Sequence, residues 1–385
     1  MVRIIIVILL KGVVRIALTD NESRVLDLIR RDPYLSQAAI SEQLDLNRST
    51  VASIIASLIA KRHLKGRAYV VNQTAEIYCV GAMNVDRIYR LQEPVSPRTS
   101  NPVVSSVTLG GVGRNIAENL GRLGESVSML SLAGYDADFD LIRRTTQAYV
   151  RLDHVQQLTE CSTSSYTAVL NEQGEMEVAF ADMAVCDRMN GAWVQEHTAI
   201  LQQAAMIVAD LNPERSAIKQ LIHIAKTHAI PLVIVPVSGP KMHHLPSDLK
   251  GVTWLIVNQD ESERFLQKTV QSEEDFNALG QQWLELGVEN VVITRGTRSI
   301  LYTNQEQAFK HFRPKLSDHV VDVTGAGDSF SSGIIYGLNQ GYPVDKCIQL
   351  GMANSYFTVQ SPSTVRTDLS REQLEADYQF ITKQD

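Results

Sequence analysis

Two periodicities divide the chain. Between Asp20 and Ala60, apolar residues recur at helical spacing in three short bursts. The first, capped by Asp20 or Asn21, puts Val25, Leu28 and Ile29 on one face and stops at Pro33. Ser36 can cap a second that ends near Leu44, and Asp45-Leu46-Asn47 makes a tight turn. The third, Arg48 to Ala60, turns Val51, Ile54, Ile55 and Leu58 inward and leaves Arg48, Ser49, Thr50 and Ser53 outward near its start. The tail "HLKGRAYVV" reads as a short β-wing bending at Gly66.

Beyond Asn72 the pattern changes. Short runs rich in Val and Ile ("EIYCVGA", "VSMLSLA", "AAMIVAD", "PLVIVPV", "TWLIVN", "NVVIT") alternate with helical stretches such as 214–228 and 273–286. Strand–helix alternation of this kind predicts an α/β sandwich around a largely parallel sheet. Segments 87–108 and 163–181 instead read as alternating strands without intervening helices, which suits a small β-lid projecting from the main layer.

The 385 residues, 44% hydrophobic and 21% charged, describe an ordinary globular protein with room for more than one domain. Charge sharpens the division. Residues 1–70 carry eleven Lys/Arg against six Asp/Glu, whereas the remainder carries 25 against 37, so a basic module is joined to an acidic one. Cys79, Cys161, Cys186 and Cys347 lie far apart with no CxxC or HxxxH pair. Neither a zinc site nor a disulfide framework is indicated, and a reducing cytoplasm is the expected setting. In the opening "MVRIIIVILLKGVVRIAL" the longest uncharged apolar run is Ile4 to Leu10, too short to span a bilayer, and no A-x-A site follows. Residues 1–19 are read as a strand-like extension or the product of a start codon set too far upstream, and no membrane partner is expected.

Candidate chemistry falls in four clusters. "VVDVTGAGDSF", 320–330, places Gly325, Ala326, Gly327 and Asp328 between four strand-suited residues and a helix start. It reads as a turn, with glycines at positive φ and an Asp cap. It reads equally as a phosphate site, whose bare amides face an anion while the carboxylate takes the proton of an attacking hydroxyl. The others are "GAMNVD" (81–86), "LGGVGRNIAENLGRLG" (109–124) and "NQDE" (258–261). The GGVG turn lacks the strand and acid of a dinucleotide fold, the Walker pattern is absent, and an isolated NxxE is commonly a helix cap.

Four clusters in this order resemble the ribokinase-like (PfkB) carbohydrate kinase family over roughly residues 75–380. "GGVGRNIAENLGRLG" matches its first signature and "DVTGAGD" its second. "GGVGRN", "TSSYTAVLNEQGEM" with the later "DM", and "IVADLN" look most like the bacterial pseudouridine kinases within it. The resemblance implies a three-layer sandwich with a β-lid over 72–385, and transfer of the ATP γ-phosphate to the 5′-hydroxyl of pseudouridine. It makes Asp328 the catalytic base and the amides of Gly325, Ala326 and Gly327 the anion hole. Asn258 and Glu261 would place Mg²⁺ and its waters, and Thr294, Gly296 and Asn354 would line the ATP pocket. Asp322 and the Thr324 carbonyl sit where the family often binds a monovalent cation such as K⁺. Asn84 and Asp86 would hold sugar hydroxyls, Gly110 and Gly111 would let the sugar approach the backbone, and Asn115 would add polar contacts. Thr163, Ser164 and Tyr166 are lid candidates for ribose or base, each equally readable as a cross-strand hydrogen bond. Two departures stand out: Val235, where relatives usually carry Asp or Asn near the phosphates, and Ser299 in "RGTRS", in place of a second glycine. Lids of this family often form a dimer contact, so a homodimer is expected.

Residues 20–71 resemble the winged helix-turn-helix of bacterial transcription regulators, with Asp45 where the turn more often has Gly. That resemblance implies double-stranded DNA as partner. Arg48, Ser49, Thr50 and Ser53 would face bases, with Lys61, Arg62, Lys65 and Arg67 on phosphates. A three-helix module for protein contacts is the alternative. Two further readings stay open for the whole chain: a nucleoside-sensing regulator, and a kinase for another nucleoside or sugar.

Overall fold

The computed structural model describes residues 18–31, 37–61, 63–64 and 76–383, and its contacts fall into two units, Met1–Asn72 and Gln73–Asp385. Residues 1–17 of the N-terminal extension, Pro33, the Ser36 cap, most of the wing, and Arg62, Lys65 and Arg67 lie outside the described residues.

The first unit holds α1 (Asp20–Arg31), α2 (Gln37–Leu44) and α3 (Arg48–Ala60). The cap of α1 sits before the expected Asp20: Glu22 N donates to Thr19 Oγ1 at 3.2 Å and Thr19 N to Glu22 Oε2 at 2.7 Å. Val25, Leu26, Ile40, Val51, Ile55 and Leu58 form the core. Leu26, absent from the expected face, is buried, while Leu28, Ile29 and Ile54 are only partly so. The buried stripe of α1 runs through Glu22, Val25 and Leu26, which share a face at i, i+3 and i+4. Asp45 adopts φ +52°, the left-handed conformation the turn demands.

In the second unit, β1 (Ile77–Val80), β2 (Asn84–Leu91), β3 (Val103–Gly110), α4 (Val112–Arg122), β4 (Val127–Gly134), α5 (Ala137–Thr146), β5 (Val155–Leu158), β6 (Ser164–Leu170) and β7 (Met176–Asp182) come first. They are followed by α6 (Gly191–Glu196), α7 (Thr198–Leu201), β8 (Met206–Asp210), α8 (Arg215–His228), β9 (Leu232–Val235), β10 (Trp254–Asn258), α9 (Gln259–Leu266) and α10 (Glu273–Glu285). Last are β11 (Asn290–Thr294), β12 (Ile300–Asn304), β13 (Gln307–Phe312), α11 (Ala326–Asn339), α12 (Val344–Thr358) and α13 (Arg371–Thr382).

The main sheet has the order β13-β12-β11-β10-β9-β8-β1-β4-β5, parallel except at β12 and β13. All six apolar runs named from the sequence are strands of this sheet, lying side by side. They read as continuous rather than alternating because both faces are covered. Tyr78 and Val80 pack toward Ile218, Leu221, Phe276 and Trp283 of α8 and α10. Ile77 and Cys79 face the opposite way, toward Ile116, Leu120, Ile334 and Ile348 of α4, α11 and α12. A separate four-stranded sheet, β3-β2-β6-β7, forms the lid. The expected strand at 320–323 is absent. Val320, Val321 and Val323 are exposed outside any helix or strand, and the amides of Val321 and Asp322 donate to Val359 O at 2.8 and 3.3 Å rather than to a neighbouring strand.

One buried carboxylate ties the strand ends together. Asp210, 1% exposed at the end of β8, accepts from Ala82 N (2.9 Å), Gly113 N (3.0 Å) and Asn212 N (2.8 Å). Burial pushes its pKa up against these bonds. It thereby joins the end of β1 to the first turn of α4. Asp210→Ala would strand buried amides at a cost of about 1–3 kcal/mol each. We expect a clear drop in Tm by calorimetry; an unchanged Tm would show the clamp is not needed.

Candidate active site

The corner between Val323 and α11 answers both readings of its glycines. Gly325 is the N-cap at φ +79°, and a Cβ there would run into the Thr364 carbonyl, so the chain itself demands glycine. Gly327 differs: a Cβ built there meets nothing within 4 Å. Its smallness leaves open space at a helix N-terminus, which suits an anion. The Ala326 amide already donates to Val323 O at 3.2 Å, so of the three expected anion-hole amides it is the one otherwise engaged.

Asp328 sits in the first turn of α11, and its Oδ2 accepts from Asn115 Nδ2 at 2.7 Å. The other side of that amide is fixed too, because Arg114 Nη2 donates to Asn115 Oδ1. With its oxygen turned to a guanidinium, Asn115 can present only its NH₂ to the carboxylate. Arg114 is itself 1% exposed. It donates through Nε to Gly110 O at 3.1 Å, through Nη2 to Leu109 O at 3.0 Å, and through Nη1 to Glu118. Burial lowers the Arg114 pKa, while Glu118, Asp328 and Asp86 favour its charge. Asp86 and Asp328, 242 residues apart in sequence, thus share one buried cation. Burial raises the Asp328 pKa to about 6, against the Asn115 hydrogen bond and the Arg114 charge. Asp86 is also raised to about 6 by burial, against Asn84 and Arg114.

On the lid, Asn84 Nδ2 donates to Asp86 Oδ1, and Asp86 registers with Tyr166 on β6 and Thr108 on β3. Asn84, Asp86 and Tyr166 therefore share one face. The expected roles of the two glycines here change. A Cβ on Gly110 would strike Asp86 Oδ2 and Asn84 Nδ2, so its smallness makes room for that side-chain pair. Gly111 takes φ +95° against the Ala82 carbonyl, so backbone geometry requires it. Thr163 is 2% exposed and committed: Oγ1 donates to Asp136 Oδ1 at 2.7 Å and accepts from Gly134 N at 2.9 Å. Ser164, 1% exposed, has its hydroxyl 3.4 Å from Cys186 Sγ. Both hydroxyls serve the base of the lid, and of the three lid candidates only Tyr166 stands beside Asp86.

In the NQDE cluster, Asn258 caps α9 in a reciprocal box, with Oδ1 accepting from Glu261 N at 2.8 Å and Glu261 Oε2 from Asn258 N at 2.9 Å. The cap reading of NxxE is thus realised, and Oε1 of Glu261 is left over from it. Burial raises the Glu261 pKa, opposed by the Asn258 amide and reinforced by Asp260 and Asp328. Asn258, Thr294 and Gly296, at φ +56°, line one cavity of about 290 Å³. Asn354 does not join them. It is wholly buried, donating to Asn119 Oδ1 and Ser329 O at 2.9 Å each and accepting from Arg366 Nε at 3.2 Å. It locks α12 to α4 and α11 instead of facing a cleft. Val235 is 5% exposed and registers with Asp210 at the end of β9. Asp322 Oδ1 accepts from Thr324 N and Oγ1 at 2.8 and 2.7 Å, shaping the turn into Gly325. Among the described residues no group of three or more His, Cys, Asp or Glu could cage a metal ion. Arg114 and Asp210 were missed as site residues. Their signal lay in "GGVGRN" and at the end of "AAMIVAD", where a charge inside an apolar pattern is the anomaly.

In the first unit, Arg48 and Ser53 are exposed on α3 as expected. The hydroxyls of Ser49 and Thr50, expected to face bases, both donate to the Asn47 cap, at 2.8 and 2.6 Å. Lys61, expected on phosphates, reaches both Glu22 oxygens at 2.8 Å. Together with Ser57 it holds the Glu22 carboxyl down to about 2.

The class follows from comparison with known proteins. The profile described as pfkB family carbohydrate kinase matches residues 74–370, and the chain belongs to that family, whose members are phosphotransferases acting on hydroxyl groups. A winged helix-turn-helix DNA-binding profile matches residues 18–61. The chain is 28% identical over 297 residues to the pseudouridine kinase of Escherichia coli (strain K12), spanning 76% of this chain and 93% of the relative. It is 26% identical over 357 residues to "Uncharacterized sugar kinase YeiI" of the same organism, spanning 92% of this chain and 98% of the relative. The Arabidopsis thaliana ribokinase solved with ribose and ATP superposes with a TM-score of 0.72 at 17% identity, over 80% of this chain and 100% of that one. The ribokinase-like α/β fold preceded by a winged helix-turn-helix, expected from the sequence, stands.

Because Arg114 favours the charged form of Asp86 and Asp328, removing its charge raises both pKa values. Less of each carboxylate is then ionised at a given pH. For Arg114→Met we expect the acid limb of a phosphotransfer pH–rate profile to move up by about one unit. Arg114→Lys keeps the charge but cannot orient Asn115, so kcat should fall with the limb in place. Coincident profiles for all three proteins would remove Arg114 from the site.

Proposed function

We propose that this chain transfers the γ-phosphoryl group of ATP to the 5′-hydroxyl of a nucleoside, pseudouridine, and that its N-terminal unit binds double-stranded DNA. One observation carries the kinase chemistry: Asp328 is fixed by Asn115 and Arg114 immediately beside the open space at Gly327. The identity to a pseudouridine kinase, together with the Asn84–Asp86 pair, supports the choice of nucleoside.

Bound ATP with Mg²⁺ supplies the phosphoryl group and neutralises its charge; Asn258, Glu261, Thr294 and Gly296 are the residues that would hold them. Asp328 takes the proton of the attacking hydroxyl at its carboxylate. The amides of Gly325 and Gly327 favour an anion at the start of α11. Asp86, aligned by Asn84, accepts sugar hydroxyls, and Tyr166 walls the same face. Asp322 and Thr324 would shape the anion hole around a monovalent cation. Val103, Val107, Val178 and Phe180 are exposed on the lid face opposite Asp86, which supports a lid-to-lid homodimer.

The deciding assay is ATP consumption against pseudouridine, uridine, other nucleosides and ribose, with Asp328→Asn alongside. We expect pseudouridine to give the highest kcat/KM and the variant to lose about 10²–10⁴ in rate while still binding both ligands. Preference for another acceptor would replace the substrate and keep the kinase. A variant with near-normal kcat would remove Asp328 as base.

For the first unit we expect full-length protein to bind operator DNA upstream of its own gene more tightly than random duplex, with affinity falling steeply as salt rises. Arg48→Ala should weaken binding about tenfold or more in anisotropy titrations. Equal affinity for both duplexes would make the module a protein-contact domain.

A further inference from the structure

Three strands of the lid sheet are tied to the body of the kinase unit, and one of the ties differs in kind. At the root of β3, Leu109 O accepts from Arg114 Nη2 at 3.0 Å and from Thr364 Oγ1 at 2.9 Å. At the root of β6, the Thr163 amide donates to Asp136 Oδ2 and its hydroxyl to Oδ1, at 2.7 Å each. Both ties fix where a strand begins, and neither fixes how the sheet leans.

β2, the strand between β3 and β6, is held further out. Arg87, its fourth residue, donates through Nη1 to Asp138 Oδ2 at 2.9 Å and through Nη2 to Oδ1 at 2.5 Å. Two parallel bonds of this kind fix direction as well as distance. Asp138 lies in the first turn of α5, where the helix dipole favours a carboxylate, and Asp136 caps the same helix. One helix start therefore grips two lid strands. Side chains alternate along a strand, so Arg87 and Asp86 leave opposite faces of β2. Drawing Arg87 toward α5 sets the tilt of that strand and, one residue away, the direction of the Asp86 carboxylate. The two side chains are 28% and 23% exposed. Ion pairs this open to water add little to folding stability, so losing this one frees the sheet without unfolding the chain.

We propose that Arg87 and Asp138 form a positioning latch for the lid. The pair holds β2 in the posture in which Asp86 meets the acceptor, and it touches neither acceptor nor ATP. The latch rests on the reading of Asp86 as the acceptor-binding carboxylate. It sets acceptor affinity and leaves proton transfer at Asp328 and the nucleotide cavity as they are.

The test compares full-length wild type, Arg87→Met, Asp138→Asn and the double variant by two readouts. In hydrogen exchange without ligands, segments 84–91 and 164–170 should exchange about fivefold faster in each variant, while 206–210 and 232–235 exchange as before. In phosphotransfer to pseudouridine, KM for the nucleoside should rise about fivefold, with kcat, KM for ATP and Tm unchanged. The double variant should match either single one, because all three lose the same interaction. Wild-type lid exchange or an unchanged nucleoside KM in both single variants would overturn the latch, and so would additive losses in the double variant. A KM for ATP that rises in step with that for the nucleoside would make the pair a brace of α5 and likewise overturn it. If the wild type does not phosphorylate pseudouridine, the substrate reading fails while lid exchange still decides the latch.

Discussion

A single buried guanidinium organises the end of the kinase unit where Asp86 and Asp328 meet. Arg114 has almost no exposed surface, and a charge so placed is tolerated only when its donors are matched. The match comes from two carbonyls just before α4, the Glu118 carboxylate one turn on, and the Asn115 side chain. Each bond has a consequence beyond Arg114. The carbonyl bonds pin β3 to α4, the Glu118 pair draws in Arg122 at 2.8 Å, and the Asn115 bond decides which end of that amide meets Asp328. Remove the guanidinium and both Asn115 and the two flanking carboxylates lose their reference.

The strands were legible from the sequence because parallel strands buried on both sides write themselves as unbroken apolar runs. The four glycine- or acid-bearing clusters were legible because small residues at strand ends have few other uses. What could not be read was the allocation of donors and acceptors. Ser49 and Thr50 looked free to meet bases, and Thr163 and Ser164 could equally meet a ligand or a neighbour; all four hydroxyls have partners within the protein. Asn354 looked like pocket lining and is a bolt between helices. A sequence shows that a polar group exists; only the fold shows whether its partner is another residue. The VVDV stretch failed for a related reason: it has strand propensity but no neighbouring strand to supply the ladder.

The glycines illustrate the same limit. Gly110, Gly111, Gly325 and Gly327 all fall in motifs that point to ligand approach, but three are demanded by the protein's own backbone or side chains. Only Gly327 guards space that belongs to nothing in the chain. Smallness near a site is therefore ambiguous until the atoms that would collide with a Cβ are named.

The electrostatics of Asp328 follow from its position rather than its identity. Burial alone would keep such a carboxyl protonated near neutrality, useless as a base. Water-exposed, it would ionise readily but hold a proton weakly. With Asn115 and Arg114 opposing burial, its pKa settles at about 6. At neutral pH it is then mostly ionised yet more basic than an ordinary aspartate, close to the balance of availability and proton affinity that general-base catalysis favours. Asp86 is likewise raised to about 6 by burial, against Asn84 and the same Arg114 charge. Any substitution that alters the burial of Arg114 therefore moves Asp86 and Asp328 together, and the four-stranded lid sheet and α11 are linked electrostatically through one cation.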